Sequence, residues 1–147
     1  MLVTVVWDVF GRSLGAVFCV ATANFWWQVV PLFGPRGISP TALLLARLRA
    51  DLPLASAFAL NPTVLWLSSS PAFLRCVVAL GALGGCVAAL VGPTSDAFAP
   101  ALAAAHCAYL SLVNADAHDK IHYPWQSLLL ESGWLALLLP SGRAAAA

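Results

Sequence analysis

The sequence predicts an all-α fold, a polytopic membrane helical bundle of about four transmembrane helices plus short interfacial helices. Two observations carry that prediction. Of 147 residues, 61% are hydrophobic and 9% charged, against about 45–50% and about 25% in an ordinary soluble domain. The apolar residues also gather into long runs, and a bilayer core about 30 Å thick takes roughly 20 helical residues to cross. Proline, glycine and polar residues stand between the runs, where helices must end because irregular backbone cannot face lipid. The whole chain, 1–147, reads as one membrane-embedded helical domain.

The first span is expected at 13–30, after a semi-amphipathic lead in which Asp8 and Arg12 stand one helical turn apart and can pair. Arg12, the apolar run 14–20 and Ala21-Thr22-Ala23 also follow the order of a cleavable signal. Apolar character continues to Phe33, however, well beyond a signal core of about 7–15 residues. Pro31 and GPRG then end the span.

In ISPTALLLARLRADLP, Ser39 is placed to cap a helix and Pro40 to take its first position. This helix, 40–50, is too short and too charged to cross, so it reads as interfacial, with Arg47 and Arg49 toward headgroups. Asn61-Pro62 and Ser70-Pro71 repeat the cap-then-proline start. They predict a short interfacial helix at 62–68 and a second span at 71–91. Within that span Gly81 and Gly85 have the small-x-x-x-small spacing that lets helix backbones approach, although chance produces the same spacing in so Gly/Ala-rich a stretch. A third span is expected at 97–113 and a fourth at 124–139.

Glu131 sits seven residues into the fourth span, about 10 Å along the helix. A bare carboxylate at that depth costs at least a few kcal/mol, so it should be protonated, paired or turned inward. The favoured expectation is a structural polar hub of Glu131 and Ser127 with Asn24, Gln28 and Asn114 from other helices; a proton or ion path is the alternative. His106 in the third span is the candidate cofactor ligand, able to hold haem iron or the magnesium of a chlorophyll, against the commoner role of bonding a neighbouring helix. His118 and His122, with Asp116 and Asp119, have metal-ligand spacing if helical, but Tyr123-Pro124 favours a solvated loop. No metal site is therefore predicted. Trp26, Trp27, Trp66 and Trp125 fall near span ends and read as interfacial anchors.

Net charge is +1 with basic residues dispersed, so nucleic acid is not an expected partner. The four cysteines lie in apolar stretches without a C-x-x-C pair and read as small core residues. No catalytic triad, phosphate loop or carboxylate pair occurs, so no enzyme is expected. The charge count puts the first and third connections on the cytoplasm-like side, with Arg36, Arg47, Arg49, Arg75 and Lys120 against Arg12 and Arg143.

YPWQSLLLESGWLALLLP, residues 123–140, resembles the W-D-x-L-L-L-E-x-G-F/W-L-A block in the membrane region of the lipase maturation factor family. FWWQVVPLFGPRGISP is similar to that family's first-span exit and its G-x-x-G-I-x-P turn, and PTVLWLSSS before a Gly/Ala-rich span falls in the same order. The resemblance covers most of 11–140, the family's N-terminal membrane region. Gln126 stands where the family has an acidic residue, and the family's large extramembrane C-terminal domain is expected to be absent. The resemblance implies a polytopic endoplasmic-reticulum protein that helps secreted lipases fold and dimerise, with its first connection in the lumen.

With short connections, activity is expected to reside on lipid-facing and helix-end surfaces. The leading expectation is a non-catalytic accessory or scaffold subunit of a larger membrane complex, in contact with membrane lipids and other integral subunits, in a thylakoid or inner mitochondrial membrane. The alternatives are a truncated folding factor of the endoplasmic reticulum with a lipase client, and a small transporter or cofactor carrier using Glu131 or His106. No cofactor is required, although contact with lipid, chlorophyll or haem is compatible with the sequence.

Overall fold

The computed structural model describes residues 2–116 and 124–139. Over those residues it is all-helical: α1 (Leu2–Ala23), α2 (Val29–Phe33), α3 (Thr41–Asp51), α4 (Leu54–Leu60), a 3-10 turn (Val64–Trp66), α5 (Pro71–Val91), α6 (Phe98–Val113) and α7 (Pro124–Leu138). Two of the described helices are long and apolar enough to cross a membrane, Val3–Ala23 within α1 and Pro71–Val91. At 16 and 15 residues, α6 and α7 fall short of the roughly 20 a full crossing takes. Among the described residues, two of the four expected spans reach full length. Val3, Val9, Val17, Val20, Leu80, Leu83 and Leu90 are exposed along α1 and α5; such continuous apolar faces are stable against lipid and unstable against water.

The first helix lies about ten residues upstream of its expected position. The semi-amphipathic lead is part of the helix itself, and the pairing expected of Asp8 and Arg12 forms at 2.9 Å. The helix ends at Ala23, where residues 24–28 form a chain of turns bonded back to Val20, Thr22, Ala23 and Phe25. In contrast, α5 has the expected bounds. The Ser70 side chain accepts from the Phe73 N–H, Pro71 opens the helix, and Gly92 at φ 71° closes it, a left-handed conformation that glycine adopts without strain.

The broadest interface joins α1 to α5, with α6 packed along α5 and α7 along α6. It is built at backbone distance. A Cβ on Gly15 would lie 2.6 Å from the Ala89 nitrogen, and one on Gly85 would strike the Cys19 backbone. Gly81 faces Thr22 in the same seam, and a Cβ on Gly84 would lie 2.7 Å from the Ala101 carbonyl oxygen of α6. All are inside van der Waals contact, roughly 3.5–4 Å. Between lipid-immersed helices there is no hydrophobic gain from association, so close packing of small residues supplies the attraction.

The connection from 24 to 70 folds as a cap on the ends of α5 and α6. Val29, Phe33, Leu45 and Leu65 form one core with Leu74, Val77, Val78, Ala108, Leu112 and Ala115. The second core, Leu14, Phe18, Ala88, Phe98, Leu102, Ala105, Tyr109, Val113 and Ala136, lies between the helices. Two expectations for the connection are corrected. Ser39 does not cap α3, whose N-cap is Pro40; its hydroxyl instead bonds Asp116 Oδ1 at 3.1 Å. The helix expected at 62–68 is a three-residue 3-10 turn capped by the Thr63 hydroxyl. The preceding stretch, for which no element was predicted, forms the helix α4.

Candidate functional site

Three places in this framework hold polar chemistry. The first is the join between cap and α6. Thr41 Oγ1 donates to the Ala115 carbonyl and Thr63 Oγ1 to the Ser111 carbonyl, each at 3.2 Å. Ser111 Oγ accepts from the Val64 N–H at 3.0 Å and donates to the Cys107 carbonyl at 2.7 Å. Asn114 Nδ2 donates to the Pro62 carbonyl at 3.0 Å. Thr41, Thr63 and Ser111 are buried, so each of these bonds satisfies groups that would otherwise be costly to bury. Sequence reading missed these threonines and Ser111; a hydroxyl beside a predicted span end was the available signal.

The second place is His106, buried where α1, α6 and α7 meet. Its ring packs edge to face against Trp134 at 4.8 Å between centroids and against Phe18 at 5.8 Å. Gly133 of α7 rests on Nδ1, where no Cβ would fit. His106 is 1% exposed, and neither ring nitrogen has a hydrogen-bond partner among the described residues. Among the described residues the ring makes no hydrogen bond to a neighbouring helix and meets α7 by packing.

The third place is the outer face of α7. Gln126, Gly133 and Ala136 are buried, whereas Ser127, Leu128, Glu131, Trp134, Leu135 and Leu138 are exposed. At 3.6 residues per turn, about 100° per residue, Glu131 lies two residues and about 200° from Gly133. A helix that packs through Gly133 must turn Glu131 outward. The structure therefore does not gather the expected hub. Asn24, Gln28, Ser127 and Glu131 are all exposed, and Asn114 bonds within the cap.

Among the other expected sites, Gly81 and Gly85 lie in the α1–α5 seam. Trp26, Trp27 and Trp125 are exposed beside helix ends, as is Arg47 on α3. Trp66 is half-buried with the Arg49 guanidinium stacked over its ring at 5.2 Å. His118, His122 and Asp119 lie outside the described residues. Cys76, Cys86 and Cys107 face outward and Cys19 is half-buried, contrary to the expectation of four core thiols, because glycine and alanine already fill the inter-helix seams.

Arg12 is a further residue whose main partners were not foreseen. Beyond its pair with Asp8, Nη1 donates to the Ala89 carbonyl at 3.1 Å and to that of Leu90, and Nη2 to that of Val91 at 3.3 Å. One guanidinium thus satisfies carbonyls at the C-terminal end of α5, where a helix leaves acceptors unpaired and favours positive charge.

Apolar helices joined at backbone distance, ending in a hydrogen-bonded cap, define the class as a helical membrane domain. The family model described as lipase maturation factor transmembrane domain matches residues 5–146, and the chain belongs to that family. No curated protein and no solved structure matches it.

Proposed function

We propose that the chain acts as the membrane domain of a folding factor for secreted lipases in the endoplasmic reticulum. The observation that carries this reading is the family match across residues 5–146. It favours the folding-factor alternative over an accessory subunit of a thylakoid or mitochondrial complex, for which neither fold nor comparison supplies support. On this reading the domain is non-catalytic. The cap at 24–70 faces the lumen where clients fold, and the outward face of α7 is available for association within the membrane.

The test is restoration of lipase secretion. Expressed in cells lacking their own lipase maturation factor, the chain should raise secreted lipase activity and co-purify with newly made lipase after mild-detergent extraction. Recovery only in a fixed respiratory or photosynthetic assembly, with no lipase bound, would return the subunit reading to first place.

A further inference from the structure

Two cavities flank Trp66 on the cap, and they differ in chemistry. One, of about 370 Å³, lies between α3 and the segment after the 3-10 turn, lined by Ala42, Leu45, Ala46, Arg49, Ser68 and Ser69 along with Leu65 and Trp66. The other, of about 340 Å³, is lined by Phe58, Val64, Leu67, Cys107, Leu110 and Ser111, with Pro62, Thr63 and again Trp66. Ala42, Leu45, Ala46 and Arg49 follow i, i+3, i+4, i+7 spacing and so share one face of α3. Small side chains keep that face open, and the guanidinium stands at its end.

Arg49 is held without being neutralised. It stacks on Trp66 at 5.2 Å and makes a long 3.5 Å contact with the Trp66 carbonyl, and no carboxylate pairs with it among the described residues. The Ser69 hydroxyl beside it bonds nothing among the described residues, while Ser68 is engaged with Ser70. An arginine fixed by a ring keeps its outer N–H groups preorganised for a phosphate, which it binds more tightly than a neutral acceptor. The second cavity lies against α6 at Cys107, one turn further into the helix than Ser111, and so extends from the cap toward the hydrocarbon. Residues 24–70 carry three arginines against one aspartate, a local positive excess complementary to an anionic headgroup.

We propose that Trp66 divides a single binding site for an anionic phospholipid: the phosphate lies on Arg49 and Ser69 on one side of the indole, and an acyl chain fills the apolar cavity on the other. The site goes beyond the folding-factor reading and stands on the membrane character of the family alone, so its failure leaves that reading untouched.

The test uses the full chain in nanodiscs of phosphatidylcholine doped with phosphatidylglycerol, read by native mass spectrometry and thermal unfolding. Phosphatidylglycerol should be retained about tenfold over phosphatidylcholine and should raise Tm. Arg49→Gln should abolish both effects, whereas Arg47→Gln, on a residue lining neither cavity, should leave them. Cys107→Phe should weaken retention of both lipids by filling the apolar cavity; Tm in pure phosphatidylcholine and helicity by circular dichroism verify that each variant is folded. Equal retention of the two lipids, or equal losses in the Arg47 and Arg49 variants, would overturn the site. A Tm rise from inorganic phosphate as large as that from phosphatidylglycerol would make it an anion site and overturn the lipid assignment.

Discussion

The α1–α5 seam and the cap–α6 join are held by opposite means. In the seam the side chains are nearly gone: Gly15 and Gly85 bring two backbones together, and Gly84 does the same for α6. In the join the side chains do the bonding, with Thr41, Thr63, Ser111 and Asn114 each reaching a backbone group across the interface. The difference follows the surroundings. Inside lipid, helices gain most from dense packing; at helix ends, unpaired carbonyls and loop N–H groups demand partners. One interface therefore fails through bulk and the other through loss of single hydroxyls.

Bulk should do the most damage. Gly85→Leu, which drives a branched side chain into the Cys19 backbone, should cost more than about 3 kcal/mol. Thermal unfolding in detergent should show it, with loss of the monodisperse size-exclusion peak. Gly133→Leu should rank next at about 2–3 kcal/mol, lifting α7 from His106 and Phe18; restricted proteolysis should then release α7 while leaving α1, α5 and α6 protected. Arg12→Leu leaves the α5 carbonyls short of donors, and about 1–3 kcal/mol should be lost. Hydrogen exchange should localise that loss to residues 88–92.

In the cap, Ser111→Ala removes one donor and one acceptor and should cost about 1 kcal/mol. Its signature should be faster exchange at Val64 with α1 and α5 unchanged; a uniform loss across the bundle would deny the cap its independence. Glu131→Leu should have the smallest effect. The isolated chain should keep its Tm, whereas any decrease in co-purified lipase would locate client or partner contact on the outer face of α7.

The sequence was most readable where local signals met at both ends of an element. Ser70, Pro71 and Gly92 bracket α5, so its bounds follow from cap chemistry and glycine stereochemistry. The start of α1 was misplaced because the semi-amphipathic stretch before residue 13 read as a lead to the span, although the Asp8–Arg12 pair within it was legible. The orientation of α7 was hidden for another reason. A helix apolar on every side has no periodic contrast to show which face is buried, so Glu131 drew attention as the only charge while Gly133 and Ala136, the residues that determine the face, looked ordinary. The cap was least legible, since its order comes from bonds between residues 47 to 77 positions apart, and no local pattern encodes such pairings.

Arg12 reaches acceptors that follow it by 77 to 79 positions. At roughly 5–20 residues per second of synthesis, several seconds separate the emergence of this cation from that of its oxygens. During that interval the leading helix is an unfinished insertion, charged near its middle and balanced by Asp8 alone. The last three of the Arg12 bonds therefore form only after the later helix has been made, so the order of synthesis sets the order in which this joint can close.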